Sequence, residues 1–410
     1  MNVLVVNTGS SSIKYQLFNM EKMTTLASGL LERIGEHGSR LIYKRGNSTE
    51  PISVTKPISN HTDGMKEIVN LLMDSKVGVI KDATELTAIG HRVVHGGELF
   101  KEPSLITHHV LDAIKKNIPL APLHNPANLA GIEATVALFS NVPQVAVFDT
   151  AFHQTMPPHA YQYAIPYHLY DDHKIRRYGF HGTSHYYVAK QAAKFLKKPL
   201  DAVNLITIHL GNGCSMTAIQ HGKSIDTSMG MTPLEGLMMG TRCGDIDSAI
   251  PYYLSQNANL NFSEIDNLLN KQSGLKGICG SNDLRDIEKR AAEKDPKATL
   301  AIDMYAYRIK KYIGAYVAAL GTVDALVFTA GVGENSFEIR KRTLSGLSEI
   351  GIVMDSAKNN ANEKVTRAIH AGNSKISILV IPTNEELEIA EQTIQVITAR
   401  EGNHGGLPLR

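Results

Sequence analysis

The chain has little cysteine, almost no net charge and no long apolar run, and each shortage removes a class of protein. Its 410 residues include three cysteines, Cys214, Cys243 and Cys279. Three cannot all pair within one chain, and no CxxC spacing occurs, so neither a disulfide framework nor a zinc site is indicated. With 42 basic and 40 acidic side chains the formal net charge is +2, which gives no global field to attract nucleic acid. No stretch approaches the roughly 18 apolar residues that span a bilayer. The opening MNVLVVN lacks the basic leader and apolar core of a secretory signal. A cytoplasmic chain with no membrane and no nucleic-acid partner is therefore expected. Two nucleotide signatures are missing as well. Neither GxxxxGK[S/T] nor GxGxxG occurs, so neither the P-loop nor the Rossmann class is indicated.

What remains is ordinary for a globular protein: 43% hydrophobic and 20% charged residues. At roughly 150 residues per domain, the length suggests two or three domains. Val3 to Val6 reads as a strand, NTGSSS as a turn, IKYQLF as an alternating strand and NMEK as a hairpin turn. LTAIGHRVVHGG contains a buried-type strand, and VPQVAVFD contains another that ends at Asp149. NPANLAGIEATVALF reads as a helix with Asn125 as its cap and Pro126 in its first turn. A helix from Ala298 to Leu320 is stopped by Gly321, and VDALVFTAGVGEN runs from a strand into a Gly-rich turn. Sliding the chain on itself by 202 residues lays VLVVNTGSSSIKYQLFNMEK over LITIHLGNGCSMTAIQHGK, with Gly9 on Gly211. Each copy opens one half of the chain, which suggests two similar α/β halves facing a cleft.

The chemistry should lie in the turns. NTGSSSIK, HLGNG and AGVGEN each follow an apolar strand and let backbone N–H groups approach a phosphate. Singly each is only a turn; three in one chain favour nucleotide binding. RRYGFHGTSH groups Arg176, Arg177, His181 and His185, MMGTRCGDID places Arg242 between glycines, and GHRVVHGG sets Arg92 in an apolar strand. A guanidinium in such a setting needs an anion, and its planar fork suits phosphate or carboxylate. The alternative for each is a buried salt bridge with a nearby Asp or Glu. Taken alone, Asn7 and Glu385 read first as a turn residue and a helix N-terminal acid.

Taken together, NTGSSSIKYQLF, GHRVVHGGE, APLHNPAN, FDTAFH, RRYGFHGTSH, HLGNG, DTSMGMTPLEGLMMGTRCGDID, AGVGEN and PTNEE resemble the acetate kinase, or acetokinase, family in order and spacing across essentially the whole chain. The resemblance implies an α/β fold of two duplicated ribonuclease-H-like, actin-like ATPase domains with a cleft between them. It implies residues 1–150, completed by a C-terminal helix 386–400, as the acyl and phosphate side, 151–385 as the nucleotide-binding and dimerisation domain, and 401–410 as a loose tail. It further implies a homodimer that moves a phosphoryl group reversibly from ATP to acetate, giving ADP and acetyl phosphate, with Mg2+ or Mn2+ in its place.

Carried over by position, Asn7 and Glu385 become metal-site residues. Ser10, Ser12 and Lys14 lie at the phosphates. Arg92 and Arg242 flank the acyl phosphate, with His181 beside the phosphoryl group and Asp149 as the acidic partner. His209, Leu210, Gly211, Asn212 and Gly213, then Asp283, Leu284 and Arg285, then Gly331, Val332, Gly333, Glu334 and Asn335 hold ATP. Val94, Leu123, Phe180 and Pro233 surround the acetate methyl, and His124 is a further active-site histidine. Ser248, Met231 and Cys214 depart from the family pattern without removing a catalytic group. Asp149 is expected to organise magnesium and water and to orient an arginine, because no proton has to leave a carboxylate acceptor. Propionate or butyrate kinase, a sugar or glycerol kinase, and a non-catalytic ATP-driven clamp remain as alternatives. Only the first shares this charge layout and apolar pocket.

Overall fold

The apolar opening of the chain becomes the centre of a sheet. In a computed structural model, which describes residues 1–403 other than 47 and 362 and leaves the side chains of 401–403 aside, Val3 to Val6 are all buried. Of the tail expected at 401–410, residues 404–410 lie outside the described residues. The chain divides into two compact units, Met1–Phe152 with the C-terminal segment from Asn384, and His153–Thr383. No helix among the described residues is long and apolar enough to cross a membrane.

The first unit holds strands β1 (Asn2–Gly9), β2 (Ser12–Asn19), β3 (Thr24–Glu32), β4 (Arg40–Arg45), β5 (Ile52–Thr55), β6 (Ala88–Val93), β7 (Ser104–Leu105) and β8 (Gln144–Phe148). They form one sheet in the order β5-β4-β3-β2-β1-β6-β8-β7. β1 pairs antiparallel with β2 and parallel with β6, which pairs parallel with β8. Strand side chains alternate between faces, and both faces are covered here. Leu4 and Val6 pack with Ile13, Tyr15, Met65 and Ile68 on one side. Val3 and Val5 pack with Phe18, Val147 and Ile389 on the other, where Ile389 comes from the helix Glu385–Asn403.

The second unit repeats this plan. Strands β9 (Asn204–Leu210), β10 (Cys214–Gln220), β11 (Lys223–Thr227), β12 (Ala325–Thr329), β13 (Arg367–Ala368) and β14 (Ser377–Val380) lie in the order β11-β10-β9-β12-β14-β13. Antiparallel β9–β10–β11 and parallel β9–β12–β14 reproduce the senses of β1–β2–β3 and β1–β6–β8. Asn2 and Asn204, the first residues of β1 and β9, stand 202 apart, the offset of the sequence repeat. Each unit is thus a mixed α/β sheet of ribonuclease-H-like order.

Two local expectations are corrected. Asn125 is not the cap of its helix: the helix Asn125–Leu138 has His124 at that position, with no side-chain cap bond. Asn125 is buried and turns inward, where Oδ1 accepts from His95 N (3.1 Å) and Nδ2 donates to the carbonyls of His95 (3.0 Å) and Ile114 (3.3 Å). Pro126 already removes one of the N–H groups a cap would serve, and a buried amide must be satisfied. The Gly-rich turn AGVGEN is instead a short helix, Ala330–Asn335. Its last carbonyls would be orphaned, but Arg340 Nη1 donates to Gly333 O (2.9 Å) and Glu334 O (3.0 Å), which offsets the cost of two glycines. The helix Pro296–Leu320 ends as expected at Gly321, whose φ of 71° favours glycine.

Candidate active site

In the first unit, parallel pairing sets the end of β6 beside the end of β8. Arg92 therefore meets Asp149 one residue past β8. Its Nε lies 3.2 and 3.1 Å from the two carboxylate oxygens and its Nη2 lies 2.6 Å from one of them. Arg92 Nη1 reaches Asn7 Oδ1 on β1 at 3.4 Å. Asp149 is 1% exposed. Burial opposes the Arg92 charge, but Asp149, Glu385 and Glu386 outweigh it and raise the guanidinium pKa. Glu385 opens the last helix. Burial pushes its carboxyl up to about 7; Arg92 opposes the shift, and the carboxylates of Asp149 and Glu386 add to it. The salt bridge offered as the alternative for Arg92 is thus present, inside a cluster that also holds Asn7 and Glu385.

Of the other expected residues of this unit, Lys14 adjoins that cluster through Glu386. Lys14 Nζ pairs with Glu386 at 2.5 Å. Ser10 and Ser12 lie at the β1–β2 turn. Val94 is buried just past β6, and its N–H donates to Asn128 Oδ1 at 3.0 Å. Leu123 is 57% exposed, directly before His124.

In the second unit, RRYGFHGTSH folds so that its two arginines are spent on structure. Arg177 pairs with Glu235 at 2.6 Å and bonds the carbonyl of Thr227 at 2.8 Å. Arg176 stacks over Tyr161 at 3.6 Å. His181 follows at φ 56°, as the N-terminal neighbour of the helix Gly182–Phe195. Its ring stacks on His209 at 4.3 Å, and its Nδ1 lies 2.9 Å from Ser215 Oγ. Phe180 is buried, and its carbonyl accepts from His153 Nε2 at 3.0 Å. That bond leaves His153 Nδ1 to accept from Ser224 Oγ, 3.0 Å away.

Arg242 is held differently from Arg92. Its loop is pinned by backbone bonds, Met239 N to Arg242 O (3.1 Å) and Gly240 N to Asn212 O (3.1 Å). The guanidinium donates to Pro233 O at 3.2 Å and touches Met239 Sδ. It forms no ion pair among the described residues, and burial lowers its pKa. Gly213 leaves the approach open, since a Cβ there would lie 3.3 Å from His181 Cε1 and 3.4 Å from Arg242 Nη1. A half-buried cation without a carboxylate favours an anionic ligand.

Beside it lies a cavity of about 750 Å³. Of the residues expected to hold ATP, Gly211, Asn212, Asp283, Leu284, Arg285, Gly331, Val332 and Asn335 line it. Leu210 is buried in β9, Gly333 is buried, and Glu334 accepts from Thr383 N at 3.1 Å. Arg285 is 91% exposed and pairs with Asp283, the cap of its own helix, at 2.6 Å.

Sequence reasoning missed several residues here. Gly240, Asn282 and Tyr305 also line the cavity, and Tyr305 Oη meets Cys214 Sγ at 3.0 Å. Burial pushes that thiol up to about 11. Ser215, Ser184 and Thr207 bond His181, His209 and His185 respectively. The i, i+4 pair in HGTSH was the available signal for a histidine face.

A sequence profile of the acetokinase family matches residues 2–391. The acetate kinase of Oleidesulfovibrio alaskensis is 57% identical, over 97% of this chain and 100% of its own. That of Lawsonia intracellularis is 55% identical, over 97% and 99%. Among solved structures, Porphyromonas gingivalis acetate kinase superposes with a TM-score of 0.93 at 47% identity, over 97% and 99% of the two chains. A propionate kinase from Francisella tularensis superposes at 0.90 with 46% identity, over 96% and 99%. The chain belongs to the acetokinase family.

Proposed function

We propose that the protein transfers the γ-phosphoryl group of ATP reversibly to acetate, giving acetyl phosphate and ADP. A carboxylate oxygen of acetate forms the new P–O bond as the bond to ADP breaks, and no proton moves. Both reactants are anions, so the task is cancellation of charge and alignment rather than covalent chemistry. The observation that supports this most is Arg242: a half-buried guanidinium with no ion pair among the described residues, beside His181 and an open glycine. Arg242 and His181 stabilise the phosphoryl oxygens. Arg92, clamped by Asp149, orients the acetate carboxylate, with Val94, Leu123, Phe180 and Pro233 around its methyl group. The 750 Å³ cavity takes the nucleotide.

Magnesium fits the first unit. It takes one or two carboxylates and completes its shell with phosphate oxygens and water, so a cage of three acidic or imidazole ligands, absent among the described residues, is not required. Asn7 and Glu385 would hold it, where burial, with the carboxylates of Asp149 and Glu386 adding to it, raises the Glu385 pKa to about 7. When bound it neutralises phosphate charge. Asp149 orients Arg92 and organises the water around the metal.

A homodimer is the proposed assembly, supported by the exposed Ile246, Ile250, Tyr252 and Tyr253, and sedimentation velocity tests it. The free cysteines support a reducing, cytoplasmic setting. The function itself is tested by mixing protein, ATP and magnesium with single acids and trapping acyl phosphate as hydroxamate. Strong signal with acetate, less with propionate or butyrate and none with glycerol is expected. One methylene is worth only about 1–3 kcal/mol, so the propionate arm sets the size of the preference. No hydroxamate with any acid would overturn the assignment.

A further inference from the structure

Behind His181 runs a series of three hydrogen bonds with no charged side chain in it. Thr207 Oγ1 lies 2.7 Å from His185 Nδ1, His185 Nε2 lies 2.7 Å from Ser215 Oγ, and Ser215 Oγ lies 2.9 Å from His181 Nδ1. Thr207, His185 and Ser215 are fully buried. Thr207 and Ser215 come from the paired strands β9 and β10, and His185 stands one helical turn beyond His181.

The protons in this series can run in two directions. Running toward His181, Thr207 donates to His185 Nδ1, His185 Nε2–H donates to Ser215, and Ser215 donates to His181 Nδ1. Every donor between Thr207 and His181 Nδ1 then has an acceptor. Running away, His181 Nδ1–H donates to Ser215, Ser215 donates to His185 Nε2, and His185 Nδ1–H donates to Thr207. The Thr207 hydroxyl proton is then stranded, because among the described residues His185 is the only hydrogen-bond partner of Thr207 Oγ1. A buried donor left unmade is the costlier arrangement. An imidazolium at His181 would also place a proton on Nδ1, and with Ser215 then accepting it, either the Thr207 or the Ser215 hydroxyl proton is stranded.

We propose that Thr207, His185 and Ser215 form a relay that holds His181 neutral with its proton on Nε2. They are positioning residues: in a neutral imidazole, the bond made by one nitrogen decides which form the other presents. Burial, reinforced by His153 and His209, pushes His185 well below its ordinary pKa and keeps that link uncharged. The relay deepens the phosphoryl-transfer reading and rests on it for its purpose, since Nε2–H is then a fixed donor for a phosphoryl oxygen.

The test is a two-bond 1H–15N correlation spectrum of ligand-free protein with 15N-labelled histidine near about pH 7, with His181 assigned by its loss in H181N. The wild type and Thr207→Ser should show His181 neutral and protonated on Nε2. Thr207→Val and Ser215→Ala should shift it toward the Nδ1–H or doubly protonated form. Their kcat should fall on the order of ten- to hundredfold with KM for ATP little changed, and Thr207→Ser should recover most of the rate. A wild-type His181 protonated on Nδ1 or on both nitrogens overturns the relay. So does a Thr207→Val spectrum identical to the wild type. The spectrum uses no substrate, so the relay can fail while the hydroxamate assay succeeds, and the reverse.

Discussion

The two units each bring one arginine to the proposed chemistry and treat it in opposite ways. Arg92 lies in a nest of carboxylates, gripped by Asp149 through three contacts of 2.6 to 3.2 Å, with Glu385 and Glu386 adding to its charge stabilisation. Arg242 has only a backbone carbonyl and a thioether, with the His181 ring near it at Gly213. A paired guanidinium is aimed before any ligand arrives. An unpaired one keeps its charge for the ligand. On the proposed function, Arg92 is the positioning group of its unit and Arg242 the charge-neutralising group of its own.

The contrast breaks most readily at Arg242. Arg242→Ala should lower turnover on the order of 10³-fold, read from hydroxamate formation with saturating ATP and acetate. A near-wild-type rate would remove it from the reaction. Asp149→Asn sharpens the other side. It removes the carboxylate that grips Arg92 most closely while Glu385 and Glu386 remain, so denaturant unfolding should show a loss of about 1.5–3 kcal/mol. Turnover should fall as well, and its response to magnesium concentration should flatten. An unchanged magnesium response would limit Asp149 to holding Arg92.

His91 is a control within the first unit, next to Arg92 yet neutral. Burial pushes it down to about 4 although Gln144 bonds it at 2.8 Å. Between about 6.5 and about 4 the unfolded chain binds a proton that the folded chain refuses, so stability is lost as pH falls through that window. The contribution is on the order of 3 kcal/mol, and His91→Gln should remove the slope from unfolding curves taken across it. The smallest effect concerns Glu385. At the proposed magnesium site its carboxyl is protonated below about 7 and the metal would displace that proton, so the magnesium requirement should rise toward tenfold per pH unit as pH falls. Glu385→Gln should lose that pH dependence.

Much of this was legible in the sequence because it follows from short-range rules. The duplication could be read from a glycine and a hairpin turn repeating at one offset. The Arg92–Asp149 meeting was legible only in part, as a salt bridge to an unnamed acid on one side and an unnamed arginine on the other. What escaped depends on distant partners. Arg177 looked like a phosphate ligand in RRYGFHGTSH, but Glu235, 58 residues away, claims it. Ser215 and Thr207 are hydroxyls within buried strands, and their pairing with histidines of a helix has no sequence period to betray it. AGVGEN read as a turn because its glycines disfavour helix, and the arginine that satisfies its carbonyls could not be seen from the motif alone.

The claim that Arg242 keeps its charge for an anionic reactant is tested most directly by calorimetric titration of acetyl phosphate into the wild type and Arg242→Ala. A charged hydrogen bond of about 1.5–3 kcal/mol predicts a Kd roughly ten- to hundredfold weaker in the variant. Equal affinities in the two proteins would contradict it.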